Sequence, residues 1–143
     1  MTELKKFSFE ELSIGQKENF TMKISKSLID DFAKISGDTN PLHMDDQYAK
    51  VANFDSRVCH GMLLSSFFSR LIGMYLPGKN ALYFSQTLNF QNPCYVDDEI
   101  IVEGEIINKS NSTKIIDINT KILHKNGKCL VDGNARVIVR NTN

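Results

Sequence analysis

A chain of 143 residues and 16.2 kDa encloses one packed core but not two, so a single domain spanning residues 1–143 is expected. Apolar residues at 41% and charged residues at 24% exclude a disordered or fibrous chain. Seventeen basic side chains balance seventeen acidic ones, the isoelectric point is about 6.8 and no basic run occurs, so nothing offers a nucleic acid backbone a positive surface. No stretch approaches the roughly 20 apolar residues of a membrane span. The opening MTELKKFSFEELSIGQ has no apolar core behind its lysines. The expected location is therefore the cytoplasm, with neither membrane nor nucleic acid as partner.

In chain order, Asn19–Ile24 is expected as a first strand. Leu28, Ile29, Phe32, Ala33 and Ile35 then recur near a period of 3.6, which predicts a helix after Ser25 that Gly37 terminates. The run GDTNPLHMDD that follows favours turns and local side-chain to backbone bonds. A short helix through Gln47, Tyr48 and Ala49 comes next. The segment HGMLLSSFFSRLIGMYL (60–76) then predicts a helix with one charge, Arg70, and apolar residues on every side. Such a helix needs protein all round it. Pro77 and Gly78 end it.

From Leu82 the period becomes two. Leu82, Phe84, Thr87, Leu88 and Phe90 precede Pro93; Ile100, Val102, Gly104 and Ile106 follow; and Ile116, Ile118, Thr120 and Ile122 lead through Asn126–Gly127, a dipeptide suited to a type I′ turn, to Cys129, Val131, Gly133, Ala135, Val137 and Val139. The expected class is α+β, a curved antiparallel sheet wrapped around one long apolar helix.

Two places could carry chemistry. Asp38, Asn40 and His43 fall within six positions of one loop, although an Asx turn, a residue suited to precede a proline and a helix start account for them equally well. His60–Gly61 opens the apolar helix, where leading amides lack internal partners and a glycine lets an anionic oxygen approach; close packing would also call for a glycine there. Ser65, Ser66 and Ser69 on that helix are read first as hydroxyls bonded back one turn. Cys59, Cys94 and Cys129 form no CxxC pair and read as reduced, buried thiols. Cys59 adjoins His60, but sequence neighbours rarely face each other, which argues against a nucleophile.

The runs SGDTNPLHMDDQYAK, VCHGMLLSSFFSRLIGMYLPG and YFSQTLNFQNPCYVDDEI together resemble the MaoC-like family of (R)-specific enoyl-CoA hydratases, in family order from about Leu12 to the C-terminus. The resemblance implies a hot-dog fold forming a homodimer or higher homo-oligomer, with coenzyme A present only as part of the substrate and no metal. It places Asp38 and His43 on the reacting water, Gly61 as oxyanion donor, and Asn40 and Ser69 as residues lining the substrate site. The implied reaction is hydration of a trans-2-enoyl thioester, or its reversal, on coenzyme A or an acyl carrier protein. Lys50, Arg57 and Lys79 are candidates for a basic rim. This chain has Ser56-Arg57-Val58-Cys59 where relatives often place a proline, and Asp97-Asp98 where Gly-Asp is common. Two alternatives remain: a hot-dog thioesterase, which would not need the D-x-N-P-x-H loop and would release free thiol, and a non-catalytic acyl-thioester binder.

Overall fold

The computed structural model describes residues 2–141. Its elements run β1 (Lys17–Lys23), α1 (Lys26–Ser36), α2 (Pro41–Met44), α3 (Asp46–Val51), α4 (Gly61–Arg70) continued by a π-helical turn (Leu71–Tyr75), β2 (Ala81–Gln86), β3 (Asn89–Phe90), β4 (Glu99–Lys109), β5 (Ile115–His124) and β6 (Cys129–Val139). The strands form one antiparallel sheet of order β1-β4-β5-β6-β2, with β3 also on β6. This is the expected α+β hot-dog arrangement, with α4 and its π turn as the central helix. No helix among the described residues is long and apolar enough to cross a membrane.

The alternation in β4, β5 and β6 puts one face into the core. Ile100, Val102 and Ile106, then Ile116, Ile118 and Ile122, then Val131, Ala135, Val137 and Val139 are buried. Thr120 shares that face and is satisfied, donating to the Gly133 carbonyl at 3.0 Å and accepting from Gln86 Nε2. Leu63, Leu64, Phe68, Leu71 and Ile72 of the central helix pack on this face, each worth about 1.5–3 kcal/mol relative to exposure. At Gly104 sheet and helix approach closely: a Cβ there would lie 3.0 Å from both Ile118 of β5 and Leu71 of the π turn. Phe9 and Leu12 of the N-terminal segment close the far end, and Lys109 donates to both of their carbonyls.

Several expectations change. The central helix is not enclosed on every side, because Met62, Ser66 and Ser69, spaced four and three apart on one face, stay exposed. The Leu82–Phe90 run is two strands, and Leu82 and Phe84 face outward on the sheet edge. The break falls at Thr87–Leu88, whose chain crosses Gly133 so closely that a Cβ there would lie 1.8 Å from the Thr87 carbonyl oxygen. The β5–β6 turn is not type I′: Gly127 donates to the His124 carbonyl and only Gly127 has positive φ, so a one-glycine turn does the work. Cys129 is half-buried rather than buried.

Asp97 accounts for the departure seen in sequence. Its φ is +72°, a conformation glycine adopts freely, which is why Gly-Asp suits this turn. Its ion pair with Lys23, at 3.7 Å between exposed side chains, returns little. Asp97→Gly is therefore expected to raise the melting temperature, by up to about 1 kcal/mol of stability. Gly133→Ala is expected to lower it by more than that. Thermal unfolding of both variants checks the pair, and an unchanged Gly133→Ala would contradict the close crossing.

Candidate active site

Local rules place each residue of the polar loop. Ser25 caps α1 by accepting from the Leu28 amide, and Gly37 at φ +78° ends it in the left-handed region. Asp38 then divides its labour. Oδ1 accepts from the Asn40 amide, the expected Asx turn, while Oδ2 faces Nε2 of His43 at 3.8 Å. Asn40 caps α2 through the Leu42 amide with Pro41 in the first helical turn, so it shapes the loop; it does not line the cavity described below. His43 stands in α2, where its Nδ1 lies 2.7 Å from the Val58 carbonyl. A carbonyl only accepts, so Nδ1 carries the proton and Nε2 is left to face Asp38. The 3.8 Å gap is too long for a direct hydrogen bond, yet one water between the two groups would reach both.

The segment Val58–His60 ties this loop to α4. The Val58 amide donates to the Leu42 carbonyl and the Cys59 amide to the Cys94 carbonyl. His60 is the N-cap residue of α4, makes no side-chain cap, and donates from Nε2 to the Asp38 carbonyl at 3.0 Å. The ring of His60 stacks on that of His43, with centroids 3.9 Å apart and planes 25° from parallel. Burial pushes the His60 imidazole below the ordinary histidine value, against the opposing effect of its bond to Asp38. Sequence reasoning noticed His60 only as the neighbour of Gly61. The pairing with His43 left no trace in local periodicity.

A cavity of about 430 Å³, within the usual range for small-molecule sites, is lined by His43 and Gly61 together with Phe54, Met62, Leu64, Phe90, Leu130, Val131 and others. His43 and the start of α4 thus share one apolar cavity, with Asp38 beside His43. The ring of Phe90 lies against Gly61, where a Cβ would meet it at 2.7 Å. Of the serines, Ser65 and Ser66 bond back to the Gly61 and Leu63 carbonyls, as read from sequence; Ser69 lies on the exposed face of α4 and outside the cavity lining. Cys59 also lines the cavity. Its neighbour Cys94 and its burial push the thiol up, away from a nucleophilic thiolate.

Arg57 is not a rim residue. It is 5% exposed; its Nε donates to the His43 carbonyl at 2.6 Å, its Nη2 to Asp30 of α1 at 2.5 Å, and its amide to Asp46 of α3. One guanidinium therefore clamps α1 and α2 behind the site. Asp38, His43 and His60 bring ligand-type atoms within 4.8 Å of one another. The two rings are nearly parallel, so their in-plane lone pairs do not converge, and His60 Nε2 is already a donor to Asp38. The set does not suit a single ion.

The family model described as MaoC like domain matches residues 9–128. The chain belongs to the MaoC-like family. Its sequence is 37% identical over 130 residues to the (R)-specific enoyl-CoA hydratase of Aeromonas caviae, covering 91% of this chain and 97% of that one. It is likewise 37% identical over 133 residues to the mitochondrial 3-hydroxyacyl-[acyl-carrier-protein] dehydratase of Arabidopsis thaliana, covering 91% and 79%. The unliganded R-hydratase of Pseudomonas aeruginosa superposes with a TM-score of 0.92 at 34% identity, over 97% of this chain and 89% of that one. This MaoC-like chain is accordingly a hydro-lyase of the hydratase and dehydratase class acting on enoyl or hydroxyacyl thioesters.

The clamp has a pH signature. The Arg57 hydrogen bond holds the Asp30 carboxyl below its ordinary value of 3.8. A depressed carboxylate contributes stability above its unfolded value and loses it as the pH falls through the lower folded value. Arg57→Leu is expected to melt well below wild type at neutral pH, and the difference should narrow below about pH 4. Melting curves across that range check it; a pH-independent gap would mean that the ion pair contributes nothing.

Proposed function

We propose that this protein is an (R)-specific enoyl-CoA hydratase, adding water to a trans-2-enoyl thioester, with coenzyme A rather than a carrier protein as the preferred handle. The approach of Asp38 Oδ2 to His43 Nε2 beside the Gly61 end of α4 carries the reading. Hydration forms a bond from the water oxygen to C3, moves a proton from water to a base, delivers a proton to C2 and places negative charge on the thioester oxygen in between. Asp38 and His43 hold the water between them and exchange its protons. The free amide of Gly61, at the positive end of α4, receives the oxyanion in an apolar cavity where a fixed dipole is worth more than in water. Asn40 keeps Asp38 turned toward His43.

A homodimer fits the surface. Met62, Ser66 and Ser69 on the central helix, with Leu82 and Phe84 on the edge strand, are among the apolar and small residues one chain leaves uncovered. A second copy over the α4 face would bring Ser69 into an enclosed setting, the place the resemblance gives it.

The decisive assay mixes the protein with crotonyl-CoA and follows loss of the conjugated double bond's ultraviolet absorbance, with an (R)- or (S)-specific dehydrogenase reading the product. Asp38→Asn is expected to lower turnover about a hundredfold or more. Steady absorbance on short and medium chains contradicts the proposal. Thiol release without loss of the double bond would instead mark a thioesterase.

A further inference from the structure

Among the described residues, one buried side-chain polar atom has no hydrogen-bond partner: Nδ1 of His60. His60 is 2% exposed, so leaving a ring nitrogen unsatisfied there costs stability that a phenylalanine would not. The ring's other contacts show what it does instead. Its Nε2–H holds the Asp38 carbonyl, one face stacks on His43, and Phe32 of α1 meets it edge-on with centroids 4.9 Å apart. The two residues proposed to share the reacting water are thus joined through a third, which lies outside the cavity lining.

We infer that His60 is a positioning residue, whose donated bond fixes the backbone of Asp38 and whose ring backs that of His43, so that both reacting side chains keep one mutual geometry. This rests on the assignment of Asp38 and His43 as the acid–base pair. The charge state follows from the same contacts. Nε2 must carry a proton to donate to a carbonyl, so a second proton on Nδ1 would leave a buried cation with an unpartnered donor. The charged groups around the ring are His43, Asp38 and Arg57; His43 and Arg57 oppose that proton and Asp38 favours it less than burial disfavours it. His60 therefore stays neutral and leaves proton transfer to His43. A misplacement of about 1 Å at a reacting group costs roughly a hundredfold in rate, which sets the scale of the benefit.

Three substitutions separate the contacts: His60→Phe keeps a stacked ring and removes the donor, His60→Gln keeps a donor and removes the ring, and His60→Ala removes both. NMR of the imidazole nitrogens needs no activity. It is expected to show wild-type His60 keeping the neutral Nε2–H tautomer to a lower pH than an ordinary histidine, and His43 as a single Nδ1–H tautomer that becomes mixed in His60→Ala. In turnover of crotonyl-CoA, kcat is expected to fall about tenfold in the first two variants and about a hundredfold in the third, with KM within about twofold. His60→Phe should melt at or above wild type, so its loss of kcat is not a loss of fold. An unchanged His43 tautomer in His60→Ala, or a full wild-type kcat in all three, overturns the inference. Wild-type protein inert toward every enoyl thioester would sink the functional reading alone, and the His43 tautomer then decides the role of His60 by itself.

Discussion

Everything in the site hangs on three residues of extended chain, Val58–His60, held from both sides before α4 begins. The carbonyl of Val58 accepts from His43 and its amide donates to the Leu42 carbonyl; the Cys59 amide donates to the Cys94 carbonyl; His60 reaches back to the Asp38 carbonyl. A buried strand segment with every such bond made cannot slide without exposing or orphaning several of them at once. Two turns of polar loop, too short to hold themselves, borrow their rigidity from this segment. The same three residues fix where α4 starts, so the helix end and the proposed acid–base pair are set by one element.

The energetics divide in the same way. Stability comes from the sheet face of isoleucines and valines closing on the central helix, a term of many kcal/mol summed over side chains. Exposed ion pairs such as Lys17–Glu105 and Lys125–Glu99 contribute little beside it. Arg57 belongs to neither group. Burying a guanidinium is worthwhile only when its donors are matched, and here Nε and Nη2 find acceptors on α2 and α1, while the main-chain amide of the same residue finds one on α3. Its role is to set the orientation of α1, α2 and α3 rather than to strengthen the core.

The sequence was legible where a rule is local. Ser25 and Gly37 bounded α1 and period two chose the buried face of β4, β5 and β6, because caps and pleats depend on residues a few positions apart, whereas the one-turn α2 lies in a run that reads as a loop. It was opaque where one element meets another. Arg57 reads as a surface charge because its acceptors, Asp30, His43 and Asp46, lie up to 27 positions away. Leu82 and Phe84 read as sharing a strand face, but alternation says which residues share a face and not which way that face points. The candidate site stands between these cases: motif and resemblance named Asp38, His43 and Gly61, whereas the His43–His60 stack needed the fold.

Three departures from what stability alone would favour fall close together. A buried arginine at 57, a helix start with no side-chain cap at 60 and a buried ring nitrogen without a partner in the same residue fall within four positions, while the rest of the described core is apolar or satisfied. At position 60 a residue that caps the helix or a phenylalanine would cost less stability, and at position 57 the buried guanidinium carries a desolvation cost that its acceptors offset. A fold under selection for stability alone would have no reason to concentrate such costs beside one cavity. Each cost also has a counterpart in the proposed chemistry: a clamped His43 backbone, an amide left free for an oxyanion, and a neutral ring backing the residue that takes the proton. The agreement between where stability is given up and where the proposed reaction needs geometry supports the roles proposed for Asp38, His43 and Gly61.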